Sequence, residues 1–295
     1  MATAENSDIN INGPIVHKPA PWQLKCPAIY MIPFYTSAQT AANLPAKAYS
    51  PLEAASAFAS KEHGPAVGGI SMIQLLRYSE SPVGPYDEMI LCPGYFEYPV
   101  EGKDGEKRKK KATRITRIYV SQKQTCWNGR SNFNIPKHLA RFEWSDNPDG
   151  STHIKVFPHD FVTPNDASEA KPSESPFFQC TIKPISYAPS FPFSTAWFKY
   201  LGIDESLVHP PLPHGESQEL AGTDRWCKLA GFSESSNSGR LAWADMSQRD
   251  EDGVAPDEFE NFFPGLRRWN LAVKLTDATV FFPPPETWET PKWLA

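Results

Sequence analysis

The chain has 295 residues, of which 40% are hydrophobic and 21% charged, with a net charge of -5 and a pI near 5.8. This composition supports a buried core, excludes disorder by composition, and gives no reason to expect nucleic acid or an acidic membrane surface as a partner. The 30 prolines, against a usual frequency of roughly 5%, work against long helices and central ladder positions, so the expectation is short strands joined by long loops.

Residues 1–24 are polar and contain proline, and read as a surface arm. They lack the basic start and apolar stretch of a secretory signal, and no apolar run approaches the roughly 18 residues of a membrane span. Five widely spaced cysteines (Cys26, Cys92, Cys126, Cys180 and Cys227) without a Cys-x-x-Cys pair fit free thiols in a reducing compartment. The expected location is the cytoplasm.

Residues 25–35 read as a strand interrupted by Pro33. Ser50-Pro51, with Glu53 three residues after the cap, predicts a helix over about 51–61. Gly68-Gly69 precede a strand over 70–80. A turn at Pro82, Gly84 and Pro85 leads to a second strand over 86–99. The basic run Lys107–Lys111, flanked by Glu101, Asp104 and Glu106, predicts a solvated hairpin tip over 101–111.

A strand over 114–122 follows, then Asn128-Gly129, then a short helix-like segment from Pro136 to Arg141. Strands are expected over 153–158, 177–186, 225–232, 239–246 and 271–283, and short helices over 191–202 and 257–266. Long loops cover 162–175 and 203–224. No linker divides the chain, so residues 1–295 read as one mostly β domain with a few short helices (α+β). Its short antiparallel strands suit a barrel or sandwich.

One segment carries chemistry: Gly129-Arg130, then Ile135-Pro136-Lys137-His138-Leu139. It resembles the lysine motif of the acetoacetate decarboxylase family, and Lys137 falls on that family's Schiff-base lysine. Upstream, Tyr86-Asp87-Glu88 follows a strand and a turn, and Glu88 falls on the family's active-site carboxylate. The ordered match covers about residues 68–143, and the idiom of the chain looks like that of fungal members of the superfamily. The resemblance implies an antiparallel closed β-barrel or cone around a central cavity, and assembly into dimers or larger homo-oligomers.

It also implies a lyase acting on a β-keto acid or related carbonyl compound of specialised, polyketide-like metabolism, with decarboxylation as the default. A lysine with the ordinary pKa near 10.4 is almost wholly protonated at neutral pH, so a nucleophilic one must be desolvated or set beside another cation. The expected catalytic residues are Lys137, Glu88 and His138. Arg130, Tyr86, Gln74, Phe133 and Asn132 are expected to bind a hydrophobic substrate.

The chain departs from the family where a second lysine becomes His138 and a second carboxylate becomes Gln74. No counterpart of the family's substrate-binding arginine is evident. Those departures fit a larger, less charged substrate. No cofactor is expected, since the imine is its own electron sink. No metal is expected either, because His209 and His214 lack a third ligand. Two further readings share the fold: a cyclase that moulds a reactive intermediate without an imine, and a non-catalytic carrier of an apolar metabolite.

Overall fold

The computed structural model describes residues 12–101, 106–160, 171–202, 204–247, 267–268, 271–291 and 293. In chain order the strands are β1 (Trp22–Thr36), β2 (Ala66–Tyr78), β3 (Tyr86–Cys92), β4 (Tyr95–Glu101), β5 (Lys107–Thr113), β6 (Arg117–Val120), β7 (Lys137–Asp146) and β8 (Thr152–Pro158). They continue with β9 (Phe178–Pro184), β10 (Phe191–Ser194), β11 (Leu207–His209), β12 (Arg225–Leu229), β13 (Ser233–Asp245), β14 (Arg267–Arg268), β15 (Leu271–Phe282) and β16 (Glu286–Glu289). The α-helices are α1 (Ala38–Ala42), α2 (Pro51–Ala54) and α3 (Lys123–Phe133).

Among the described residues, nine strands close into a ring in the order β1, β15, β13, β9, β8, β7, β6, β3, β2 and back to β1. The ring is a mostly β barrel with few helices. It is mixed and not wholly antiparallel, because β6 and β7 pair in parallel. The cause is α3, a crossover that returns the chain to the end from which β6 started. From β2 a second sheet runs outward through β4, β5, β11, β12 and β16.

Strand alternation sorts the side chains into two layers. One hydrophobic cluster draws on all nine ring strands, including Ile32, Leu75, Met89, Tyr119, Ile154 and Phe178, and therefore fills the lumen. Within it the Tyr30 hydroxyl donates across the barrel to Thr152 Oγ1 at 3.1 Å. One mouth of the lumen opens into a cavity of about 610 Å³ lined by Tyr30, Arg77, Asp87, Trp144 and Lys274, with Tyr78 and Tyr86 at its wall. The second cluster takes the alternate residues Leu76, Tyr78, Tyr86, Ile90, Ile118 and Val120, together with Cys126 and Phe133 of α3. It lies behind the lumen wall, under α3.

Several expected elements are redrawn. β1 runs unbroken through Pro33. There Pro33 pairs with Met72 of β2, and the ladder continues on to Phe34 and Ser71. The strand expected over 86–99 is split at Pro93-Gly94, where Gly94 has φ of 104°. Lys107–Lys111 form exposed strand β5 paired with β4, while 102–105 lie outside the described residues. The helix expected over 51–61 is α2 followed by two 3-10 turns, and that expected over 191–202 is β10 followed by a 3-10 helix over Thr195–Leu201. β11 lies inside the loop expected over 203–224. The loop over 162–175 is described only from 171, and the helix over 257–266 lies outside the described residues.

The segment from Pro136 to Arg141 is strand and not helix. Asn134 takes the left-handed conformation (φ 51°) and caps α3, and a residue before proline is pushed away from the helical region, so the chain turns straight into β7. The Asn134 side chain also donates to the carbonyls of Pro210 and Arg225, tying the turn to β12. Asn134→Gly keeps the backbone but loses both bonds, whereas Asn134→Ala loses the bonds and adds left-handed strain. Urea denaturation will therefore rank stability as wild type, then Gly, then Ala, with Ala lower than wild type by about 2 kcal/mol or more.

Candidate active site

Lys137 is the first residue of β7 and its stem crosses α3 at Gly129. A Cβ added to Gly129 would stand 2.5 Å from Lys137 Cδ and 2.7 Å from Cε. The glycine of the motif is thus the gap through which the lysine passes. Beyond it, Lys137 Nζ donates to Glu88 Oε2 at 2.7 Å and to Thr125 Oγ1 at 3.0 Å, and lies 5.0 Å from the Tyr86 ring centre. Glu88 reaches it from β3, one strand beyond β6, and its other oxygen accepts from the Tyr78 hydroxyl at 3.1 Å.

The pair is almost dry: Lys137 is 2% exposed and Glu88 1%. Burial, reinforced by the Glu88 charge, holds the Tyr78 and Tyr86 phenols well above their ordinary pKa, so both stay protonated as donors. Tyr86 also shares hydrogen bonds with Thr125 and Tyr78.

His138, the next residue along the strand, points to the opposite face. There its Nε2 meets Glu53 Oε2 at 2.6 Å, and Glu53 Oε1 accepts from Arg130 Nη1 at 2.9 Å. Arg130 also donates to the carbonyls of Lys137 (3.2 Å), Ala221 (2.8 Å) and Pro213 (2.7 Å). This buried group clamps the start of β7 from behind. Burial alone would raise the Glu53 pKa, but the charges and hydrogen bonds of His138 and Arg130 outweigh it and lower it below the usual glutamate value. Glu53 therefore does not act as a capping-box side chain, and Ser50 makes no side-chain cap bond.

Gln74, on the same face of β2 as Tyr78, donates from Nε2 to Glu234 Oε2 of β13 at 3.1 Å. Since β1 and β15 lie between β2 and β13 in the ring, that contact makes the α3-side face concave as well. Met72, Gln74, Phe193 and Val273 are only half-buried and form its rim. Gln74 thus meets a carboxylate delivered from a distant strand.

Phe133 packs in the core against Trp22 and Phe282, at ring separations of 5.6 and 5.4 Å. Asn132 faces away from the amine. With Gln124 and Asn128, spaced four residues apart on α3, it binds the backbone of residues 14–18 of the arm. His209 accepts from the Ile115 N–H at 3.2 Å, and burial lowers its pKa to about 3, leaving it neutral. Of the aromatic residues over 191–200, Phe193 packs against the α3-side cluster, whereas Trp197 and Tyr200 are exposed.

Sequence reasoning brought together Lys137, Glu88 and Tyr86 but missed Thr125, Tyr78, Glu53 and Glu234. Alternation from Glu88 through its cross-strand neighbours could have found Tyr78. Glu234 sits in a Ser-rich stretch that reads as a turn.

No family model matches the sequence, and no curated protein matches it significantly. Solved structures do resemble it. An acetoacetate decarboxylase from Legionella pneumophila subsp. pneumophila is 10% identical, with 100% of this chain and 98% of that one covered and a TM-score of 0.53. An acetoacetate decarboxylase-like enzyme from Sphingomonas wittichii RW1 is 10% identical over 98% and 99% of the two chains, with a TM-score of 0.55. The enduracididine biosynthesis enzyme MppR, complexed with pyruvate, is 12% identical over 94% and 92%, with a TM-score of 0.52. At such identities the shared property is the fold.

Two outcomes follow from the clamp and the gap. Glu53→Gln strands Arg130 as a buried unpaired cation and will lower unfolding free energy by about 3–5 kcal/mol in urea titration. Because the folded pKa of Glu53 lies below its unfolded value, its stabilisation is present above the ordinary glutamate range and lost as pH falls through the folded value. The variant will therefore show less acid sensitivity than wild type. Gly129→Ala must displace the Lys137 stem, and will cost about 1–3 kcal/mol together with the reactivity of the amine.

Proposed function

We propose that this chain is an enzyme of the acetoacetate decarboxylase-like superfamily, a lyase that acts on a carbonyl compound through an imine at Lys137. The observation that carries this reading is the buried contact of Lys137 Nζ with Glu88 Oε2 at 2.7 Å. Within such a pair a proton can pass from nitrogen to oxygen without changing the net charge of a site that water does not reach. The neutral amine then attacks the carbonyl carbon. The carbonyl π electrons move to oxygen, which takes one proton from the newly bonded nitrogen and a second from protonated Glu88, and leaves as water. The product is an iminium bonded to Lys137, and Glu88 is again a carboxylate.

The iminium withdraws electrons from the neighbouring bonds. In a β-keto acid, the electrons of the bond to the carboxylate flow into it. CO2 leaves, and a neutral enamine remains to be protonated and hydrolysed. Retro-aldol cleavage and dehydration begin from the same intermediate. No cofactor enters this scheme. The half-buried rim of Met72, Phe193 and Val273 suits a hydrophobic carbonyl compound, of the kind handled in specialised metabolism.

A reading without an imine is favoured by one feature: the amine is already committed to Glu88 and Thr125, as a hydrogen-bond donor would be. Borohydride reduction in the presence of acetone or acetoacetate, followed by peptide mass mapping, separates the two. The imine reading predicts a mass increment on Lys137 that disappears in Lys137→Ala and Lys137→Arg, together with all turnover. A donor-only site predicts no increment, and partial activity in Lys137→Arg. In Glu88→Gln turnover will fall about 100-fold or more for want of a proton carrier.

A further inference from the structure

We propose that Glu234 is the proton donor of this site and that the substrate is a β-hydroxy carbonyl compound, which the enzyme dehydrates. The inference rests on the imine reading and selects one reaction from those that share the intermediate. Glu234 is buried on the concave face. Its backbone N–H donates to Thr195 Oγ1 at 3.0 Å, and its Oε2 accepts from Gln74 at 3.1 Å. Its Oε1 is buried and has no hydrogen-bond partner among the described residues. A buried carboxyl oxygen left without a partner costs free energy, unless a bound molecule completes it.

The groups that act on Glu234 are Gln74 from β2, Glu88 from β3 and Glu205 from the segment before β11. The Cys26 thiol on β1 and the Tyr78 phenol feel its charge in turn, and both are held protonated chiefly by burial. Burial raises the Glu234 pKa to about 8, the charges of Glu88 and Glu205 push the same way, and the Gln74 hydrogen bond opposes them. Near neutrality Glu234 therefore keeps its proton, while Glu88 is ion-paired to Lys137. A protonated carboxyl and an ion-paired one on the same face can serve as acid and base.

Dehydration uses both. With the iminium formed at the carbonyl carbon, the Glu88 carboxylate removes a proton from the α carbon, and the C–H electrons form an enamine. The enamine then breaks the C–O bond at the β carbon. That oxygen takes the proton of Glu234 and leaves as water, giving an α,β-unsaturated iminium. Hydrolysis releases the enone and Lys137, and the proton on Glu88 returns through solvent to Glu234. Decarboxylation needs no acid at a leaving oxygen. It would also bring a further carboxylate to a face that already holds two, where Lys137 is the cation and where Arg130 and His138 are engaged by Glu53 behind β7.

The test uses the full chain with 4-hydroxybutan-2-one and acetoacetate as probes. Wild type will convert 4-hydroxybutan-2-one to but-3-en-2-one, and that rate will fall as pH rises through about 8, where Glu234 loses its proton. Glu234→Gln will lose at least about 100-fold of the elimination rate while still trapping the ketone at Lys137 with borohydride, and Glu234→Asp will recover part of the rate. Trapping in both proteins with equal elimination rates overturns the role of Glu234. Trapping in wild type without any elimination, or with faster loss of CO2 from acetoacetate, overturns the substrate class. Absence of trapping in wild type brings down the imine reading beneath it.

Discussion

An ammonium and a carboxylate held 2.7 Å apart, both nearly out of contact with water, are costly to assemble. Each ion loses several kcal/mol of hydration, and only close pairing with further hydrogen bonds compensates. The surrounding structure supplies those bonds: Thr125 on the amine, Tyr78 on the far carboxylate oxygen, and the Tyr86 ring against the cation. A pair of this kind gains little as a stability device, since apolar residues of similar volume would serve as well. In the proposed mechanism its role is chemical: a proton passes between the two partners inside the pair.

The clamp behind β7 serves the same pair by mechanical means. Lys137 and His138 are adjacent, so a strand sends them to opposite faces. Arg130 and Glu53 fix the back face, and Arg130 holds the Lys137 carbonyl directly. His138 therefore acts through position, held by Glu53 on the back face of the strand. α3 joins both sides: Thr125 and Gly129 meet the lysine, Arg130 reaches the clamp, and its outer face grips the N-terminal arm through Gln124, Asn128 and Asn132.

The legible part of this arrangement was local. Gly129-Arg130 and Pro136-Lys137 stand in one short stretch, and Tyr86 and Glu88 follow from strand alternation, so the pair and its aromatic wall could be read in advance. The closed barrel was legible from strand rhythm and the resemblance together. Two things were not. A helix was expected from Pro136, but the left-handed turn at Asn134 had already ended one there. Glu53 and Glu234 were invisible as site residues because their partners lie 77 and 160 positions away, at Arg130 and Gln74, and no local pattern encodes such a meeting.

A crystal structure of the protein reduced with borohydride in the presence of acetoacetate tests the central claim most directly. The account predicts continuous density from Lys137 Nζ into a bound fragment lying between the Tyr86 ring and Glu88, directed towards Gln74 and Glu234. Density on another lysine, or a fragment held in the mouth of the lumen beside Lys274 with Lys137 unmodified, would contradict it.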